Sequence, residues 1–225
     1  MTLVILMLPL TCTAHAGTEL LDSKAVYYTE ESDYQPGDCI LTATRMMIRR
    51  AAIMSGRTGW EGITNEVFRQ EATVDGCLLS NFAFEACGLS FRVGFGEFSG
   101  ESDAARIAEF EELLKRHPEG IVVHGDCAAS TGMHGVLVAR VDNGVVYAMD
   151  SSFNMGEISE GIQKWTDTTM LEPSLCTRYW YISEISPDII GAQVMFTNDC
   201  QDITQMVGRS MMDHCNILRR RITSV

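Results

Sequence analysis

Cys39 stands directly after Pro36-Gly37-Asp38, a chain break followed by a residue type that opens helices. From Cys39 to Met54 the apolar positions Ile40, Ala43, Met47, Ala51 and Met54 recur at helical spacing. The thiol is therefore expected on the first turn of a helix, where unpaired N–H groups and the positive end of the dipole favour a thiolate. A thiolate is the form that a cysteine nucleophile needs. Asp38 opposes that charge unless its carboxylate is turned away to cap the helix. Far along the chain, His134 opens the run Gly135-Val136-Leu137-Val138-Ala139-Arg140-Val141, and Asp150 closes the run Val145-Val146-Tyr147-Ala148-Met149. Asp142-Asn143-Gly144 between them reads as a hairpin turn. Antiparallel strands bring their ends together, so His134 and Asp150 should be neighbours although fifteen residues separate them. A carboxylate there can hold the imidazole tautomer while the other ring nitrogen faces a thiol. Together these are the parts of nucleophilic acyl transfer: Cys39 as nucleophile, His134 as base and acid, Asp150 as orienting group. No cofactor and no metal is expected. His124, Cys127 and His134, with Asp126 nearby, match no standard zinc spacing.

The elements that must carry these residues follow from the same periodicities. Residues 17–37 read as an irregular or extended approach. Helices are expected over Cys39–Met54, Trp60–Gln70, Leu78–Ala86 and Asp103–Arg116, the last stopped by Pro118 and Gly120. His117, at that helix end, reads as a favourable C-terminal charge. Strands are expected over Leu89–Phe95, Ile121–His124, the two arms of the hairpin and Arg178–Ile185. Helices gather early and strands late, which gives an α+β class with N-terminal helices packed on an antiparallel sheet.

Residues 1–16 stand apart. They carry the apolar run Val4–Leu8, end in Ala14-His15-Ala16 and match a secretory signal peptide, although no Lys or Arg precedes the run. The expectation is a secreted or extracytoplasmic protein with no integral membrane span. Residues 17–185 form the expected domain, and 186–225 an extension that ends near Arg219-Arg220-Arg221 and is a candidate docking segment for a partner. The net charge of -13 argues against nucleic acid, whose phosphates would be repelled. With Cys39 set aside, Cys77, Cys87, Cys127, Cys176, Cys200 and Cys215 could form three disulfides or serve as small buried apolar residues.

Asp38-Cys39, Thr42 and Ala43 on the following helix, Gly132-Met133-His134-Gly135-Val136-Leu137-Val138 and Tyr147-Ala148-Met149-Asp150-Ser151 resemble papain-like cysteine peptidases. The likeness is to the bacteriocin-leader-processing (double-glycine) type, and to its stand-alone, secreted bacterial relatives in particular. It covers roughly residues 33–185. The resemblance implies a papain-like fold and a thiol protease that hydrolyses a peptide or protein substrate through a Cys39-His134-Asp150 triad and a thioester. It also implies Gln35 as the side chain assisting the Cys39 N–H at the oxyanion. Gln35 lies closer to the nucleophile than the family's glutamine, and Ile40 stands where the family often has a small residue. A transglutaminase-like acyltransferase uses the same residue types with the His nearer the Cys. A catalytically inactive papain-like binding module would keep the fold without the reaction. Both stay open as alternatives.

Overall fold

The computed structural model describes residues 19–28, 33–74, 77–127, 133–151, 161–169 and 171–187. The expected leader, the extension from 188 onward, and Cys12, Cys200 and Cys215 lie outside the described residues.

Runs of Val, Ile and aromatic residues build one seven-stranded sheet in which every neighbouring pair is antiparallel. Helices α1 (Lys24–Tyr27), α2 (Cys39–Met54) and α3 (Asn65–Ala72) come first, with a 3-10 turn at Trp60–Gly62. A small ribbon of β1 (Thr73–Val74) and β2 (Cys77–Leu78) follows. Next are β3 (Phe82–Ala86), β4 (Leu89–Glu97), α4 (Asp103–Arg116) and β5 (Ile121–Cys127). The hairpin strands β6 (Met133–Asp142) and β7 (Val145–Asp150) precede β8 (Gln163–Lys164), α5 (Trp165–Thr168) and the long β9 (Leu171–Pro187). The sheet order is β3-β4-β9-β5-β6-β7-β8, so the last strand runs through the middle and joins the two halves.

Alternation along the strands supplies two apolar faces. Val122, Leu137 and Met149 pack with Met46, Met47 and Phe68 on the side of α2 and α3. Ile121, Val123, Val136 and Val138 pack with Phe110 and Leu113 of α4 on the other side. The protein is thus mixed α+β, with helices on both faces of an antiparallel sheet.

Helix α2 is buried almost all round, including three arginines. Arg45 donates to the carbonyls of Tyr27 and Tyr28. Arg49 donates to those of Val26, Tyr28, Glu61 and Ile63. Arg50 donates to Leu21 O, Glu119 O and the Tyr27 hydroxyl. Guanidinium forks thereby satisfy backbone carbonyls of residues 21–28, around α1, and those of Glu61, Ile63 and Glu119.

Several expectations are corrected. The segment expected as a helix over Leu78–Ala86 contains β3, because Phe82, Phe84 and Ala86 pair with β4 around a turn in which Cys87 and Gly88 both have positive φ. The expected helix Trp60–Gln70 is a 3-10 turn and then α3, whose start is capped by the Thr64 hydroxyl on Val67 N–H. Helices and strands also interleave more than expected, since β3 joins the expected strand β4 ahead of α4. Cys87, Cys127 and Cys176 are free thiols, so the arrangement of three disulfides is not formed. Cys176 is instead buried in the α4-side core. His117 does sit at the end of α4, but burial first, then Arg116, pushes its pKa down, and its ring packs on Tyr181 with Glu119 3.8 Å from Nδ1. Among the described residues no helix is long and apolar enough to cross a membrane.

Candidate active site

Cys39 is the first residue of α2, and the helix begins with the Thr42 N–H bonded to Asp38 O at 2.7 Å. Thr42 is buried and its hydroxyl accepts from the Asn65 amide at 2.8 Å, which ties the first turn of α2 to the start of α3. The loop ahead of Cys39 is pinned at both ends. The Asp33 carboxylate accepts the Asn65 and Glu66 N–H groups, each at 2.6 Å. Asp38 accepts the Gln35 N–H at 2.9 Å and pairs with Arg69, which also donates to Asp33 O at 3.1 Å. Asp38 was expected to cap α2; its carboxylate makes no such bond and is turned back onto Gln35 and Arg69.

The helix start meets β6 through a glycine. A Cβ on Gly135 would come within 2.8 Å of Ile40 Cγ1 and 3.0 Å of Ile40 N. Only the bare backbone of Gly135 lets the first turn of α2 lie this close. The residues that precede this contact on each element are Cys39 and His134, and the thiol is close enough to the His134 ring to raise its pKa. The bulky Ile40 does not block the site, because Gly135 leaves it room.

On its other side His134 is held by Asp150, with Nε2 and Oδ1 2.6 Å apart. Val136 is the direct partner of Asp150 across the hairpin, so His134 and Asp150 are diagonal neighbours on one face. Ser151 fixes the end of β7 by donating to Gly135 O at 3.0 Å. Asp150 is 2 % exposed. Burial works against a charged His134, but Asp150 and Cys39 outweigh it and raise its pKa to about 10. With Nε2 taken by the carboxylate, Nδ1 is the nitrogen left for the thiol. The ring is thus built to hold a proton between an acceptor and a nucleophile.

No family model, curated protein or solved structure matches the chain.

Two further side chains belong to the surroundings. Burial, followed by the charges of Cys39, Asp38 and Asp150, raises the Tyr34 phenol to about 12, so it stays an O–H donor beside the site. His124, on the strand paired with β6, is buried; burial and then Arg178 and His134 push its pKa down to about 4, which keeps it neutral. Among the described residues no group of His, Cys, Asp and Glu could hold a metal ion. Gln35, expected at the oxyanion, is exposed, and its backbone is committed to the turn with Asp38.

The structure therefore brings Cys39, His134 and Asp150 together. Sequence reading missed Arg69, Asp33, Tyr34 and the part played by Gly135. A glycine directly after a histidine in a strand otherwise rich in Val and Leu was the visible sign of a close approach. The contacts of Asp33 and Arg69 join residues about thirty apart and had no local sign.

Proposed function

We propose that the protein is a papain-like cysteine hydrolase that cleaves peptide bonds by acyl transfer to water. The observation that carries this reading is the His134 ring, bonded to Asp150 at 2.6 Å and standing next to a cysteine at a helix start, where Gly135 lies against Ile40. His134 takes the proton from Cys39 Sγ, and the thiolate attacks the carbonyl carbon of a peptide bond. The C–N bond breaks as His134 returns that proton to the leaving amine, and the acyl group stays on sulfur as a thioester. Water then attacks the thioester, giving its proton to His134 and releasing the acid and the thiol. Asp150 keeps the imidazole oriented and offsets its charge throughout. The Cys39 N–H at the helix start is an oxyanion donor, and Gln35 is the side chain proposed beside it. Expected export and a peptide or protein substrate belong to the same proposal.

A second reading, an inactive papain-like binding module, draws on one observation: Gln35 is exposed. Incubation with a defined mixture of unstructured peptides, read by mass spectrometry, separates the two. New termini that vanish in Cys39→Ala support the hydrolase. Peptides left intact by wild type while they bind it would favour the module. New amine-linked products in place of hydrolysis would point to the transglutaminase-like alternative.

A further inference from the structure

We infer that Arg69 is a positioning residue for Cys39: it cancels the charge of Asp38 and holds the loop that enters the nucleophile's helix. This rests on the reading of Cys39 as a nucleophile. A carboxylate next to a thiolate disfavours it, as any like charge does. Asp38 is the residue immediately before Cys39, and its side chain is 11 % exposed, so water screens it poorly. It cannot discharge its effect on the α2 N-terminus, because it makes no cap bond there. Its partner is the guanidinium of Arg69, from the second turn of α3, whose side chain is 21 % exposed. The same terminal nitrogen donates to Asp33 O, while the Asp33 carboxylate sits on the N-terminus of α3. One arginine therefore neutralises the charge before the nucleophile and closes a brace between α3 and the loop of residues 33–38.

The groups facing Cys39 can be named element by element. His134 comes from β6, with Asp150 of β7 behind it and neutral His124 on β5 beyond. Tyr34 and Asp38 come from the entering loop, and Arg69 reaches Asp38 from α3. Arg69 is the cation paired with Asp38, and His134 already answers to Asp150 and Cys39. With Arg69 removed, Asp38 becomes an uncompensated negative charge on the residue immediately before Cys39.

The test is the rate of Cys39 alkylation by iodoacetamide at pH 6, followed by mass spectrometry in the full chain. Arg69→Gln should slow labelling roughly tenfold. Asp38→Asn with Arg69→Gln should restore the rate to within about twofold of wild type, because the pair acts as a unit. Asp38→Asn alone keeps an acceptor for the Gln35 N–H and should label at least as fast as wild type. Should Arg69→Gln fail to fold, Asp38→Asn alone still decides: its labelling several-fold slower than wild type would overturn the inference. An unchanged rate in Arg69→Gln, or a double variant as slow as Arg69→Gln, would overturn it too. A wild-type thiol that labels at pH 6 no faster than in His134→Ala would instead remove the nucleophile reading, and this inference with it.

Discussion

Ile40 rests directly on Gly135, so close that a Cβ at position 135 would lie 2.9 Å from Ile40 Cα. Each residue follows a candidate catalytic one, Cys39 on the helix and His134 on the strand. The contact sets the spacing between thiol and imidazole without using a reactive group for support.

Gly135→Ala should therefore separate the pair. The backbone of α2 cannot yield as a flexible side chain would, and a shift of about 1 Å can cost on the order of 10²-fold in rate. The expected result is a folded protein with peptide hydrolysis reduced by about that factor, measured as kcat/KM on any substrate found. Full activity would mean that Ile40 and Gly135 do not set the distance.

Asp150→Asn keeps the size of the buried side chain at 2 % exposure but removes its charge. Turnover should fall at least about tenfold while thermal stability changes little, because the amide can still accept the His134 N–H but no longer offsets an imidazolium. Turnover equal to wild type would contradict the role given to Asp150.

Glu119 offers a pH test far from catalysis. Burial is the main cause that raises its pKa to about 7 from 4.5, with Arg50 pulling the other way. The folded state then holds a proton that the unfolded chain gives up, so the penalty begins as pH rises past 4.5 and is complete above about 7. Glu119→Gln should be more stable than wild type at pH 8, by up to about 3 kcal/mol, and no more stable at pH 4. Urea unfolding at the two pH values measures the difference. A gain at pH 4 equal to that at pH 8 would sink the assignment.

Arg49→Met tests the brace between α2 and the N-terminal segment. Three carbonyls, those of Val26, Glu61 and Ile63, lose this donor at once, while Tyr28 O keeps Arg45. Destabilisation of roughly 2–5 kcal/mol is expected from urea unfolding, since buried acceptors left without partners bear the desolvation cost. A change below 1 kcal/mol would show that water satisfies them.

Much of this was legible in the residues. Asp103–Arg116 forms the helix its amphipathic pattern predicts, and the expected turn ends in Asn143-Gly144 with both residues at positive φ. That hairpin is what made the nearness of His134 and Asp150 readable before any fold was known. The miss at Leu78–Ala86 has a local cause. Phe-Ala-Phe-Glu-Ala suits either period over so short a run, and Cys87 is an unusual residue for the first position of a tight turn. Asp38 illustrates the harder limit. Its nearness to Cys39 was plain, and its effect on a thiolate was foreseen, but Arg69 lies on another helix and only packing brings the two together. Likewise nothing local marks Arg45, Arg49 and Arg50 as buried, because the carbonyls they serve lie on other segments.

The central claim is an activated Cys39-His134 pair. The direct measurement is the pH dependence of alkylation at Cys39, read by mass spectrometry in wild type and His134→Ala across pH 5 to 10. An intact pair labels quickly well below pH 8, and loss of the imidazole slows it by about tenfold or more at neutral pH. A profile that rises only near about pH 8.5, the range of an ordinary thiol, and is the same in both proteins would contradict the account.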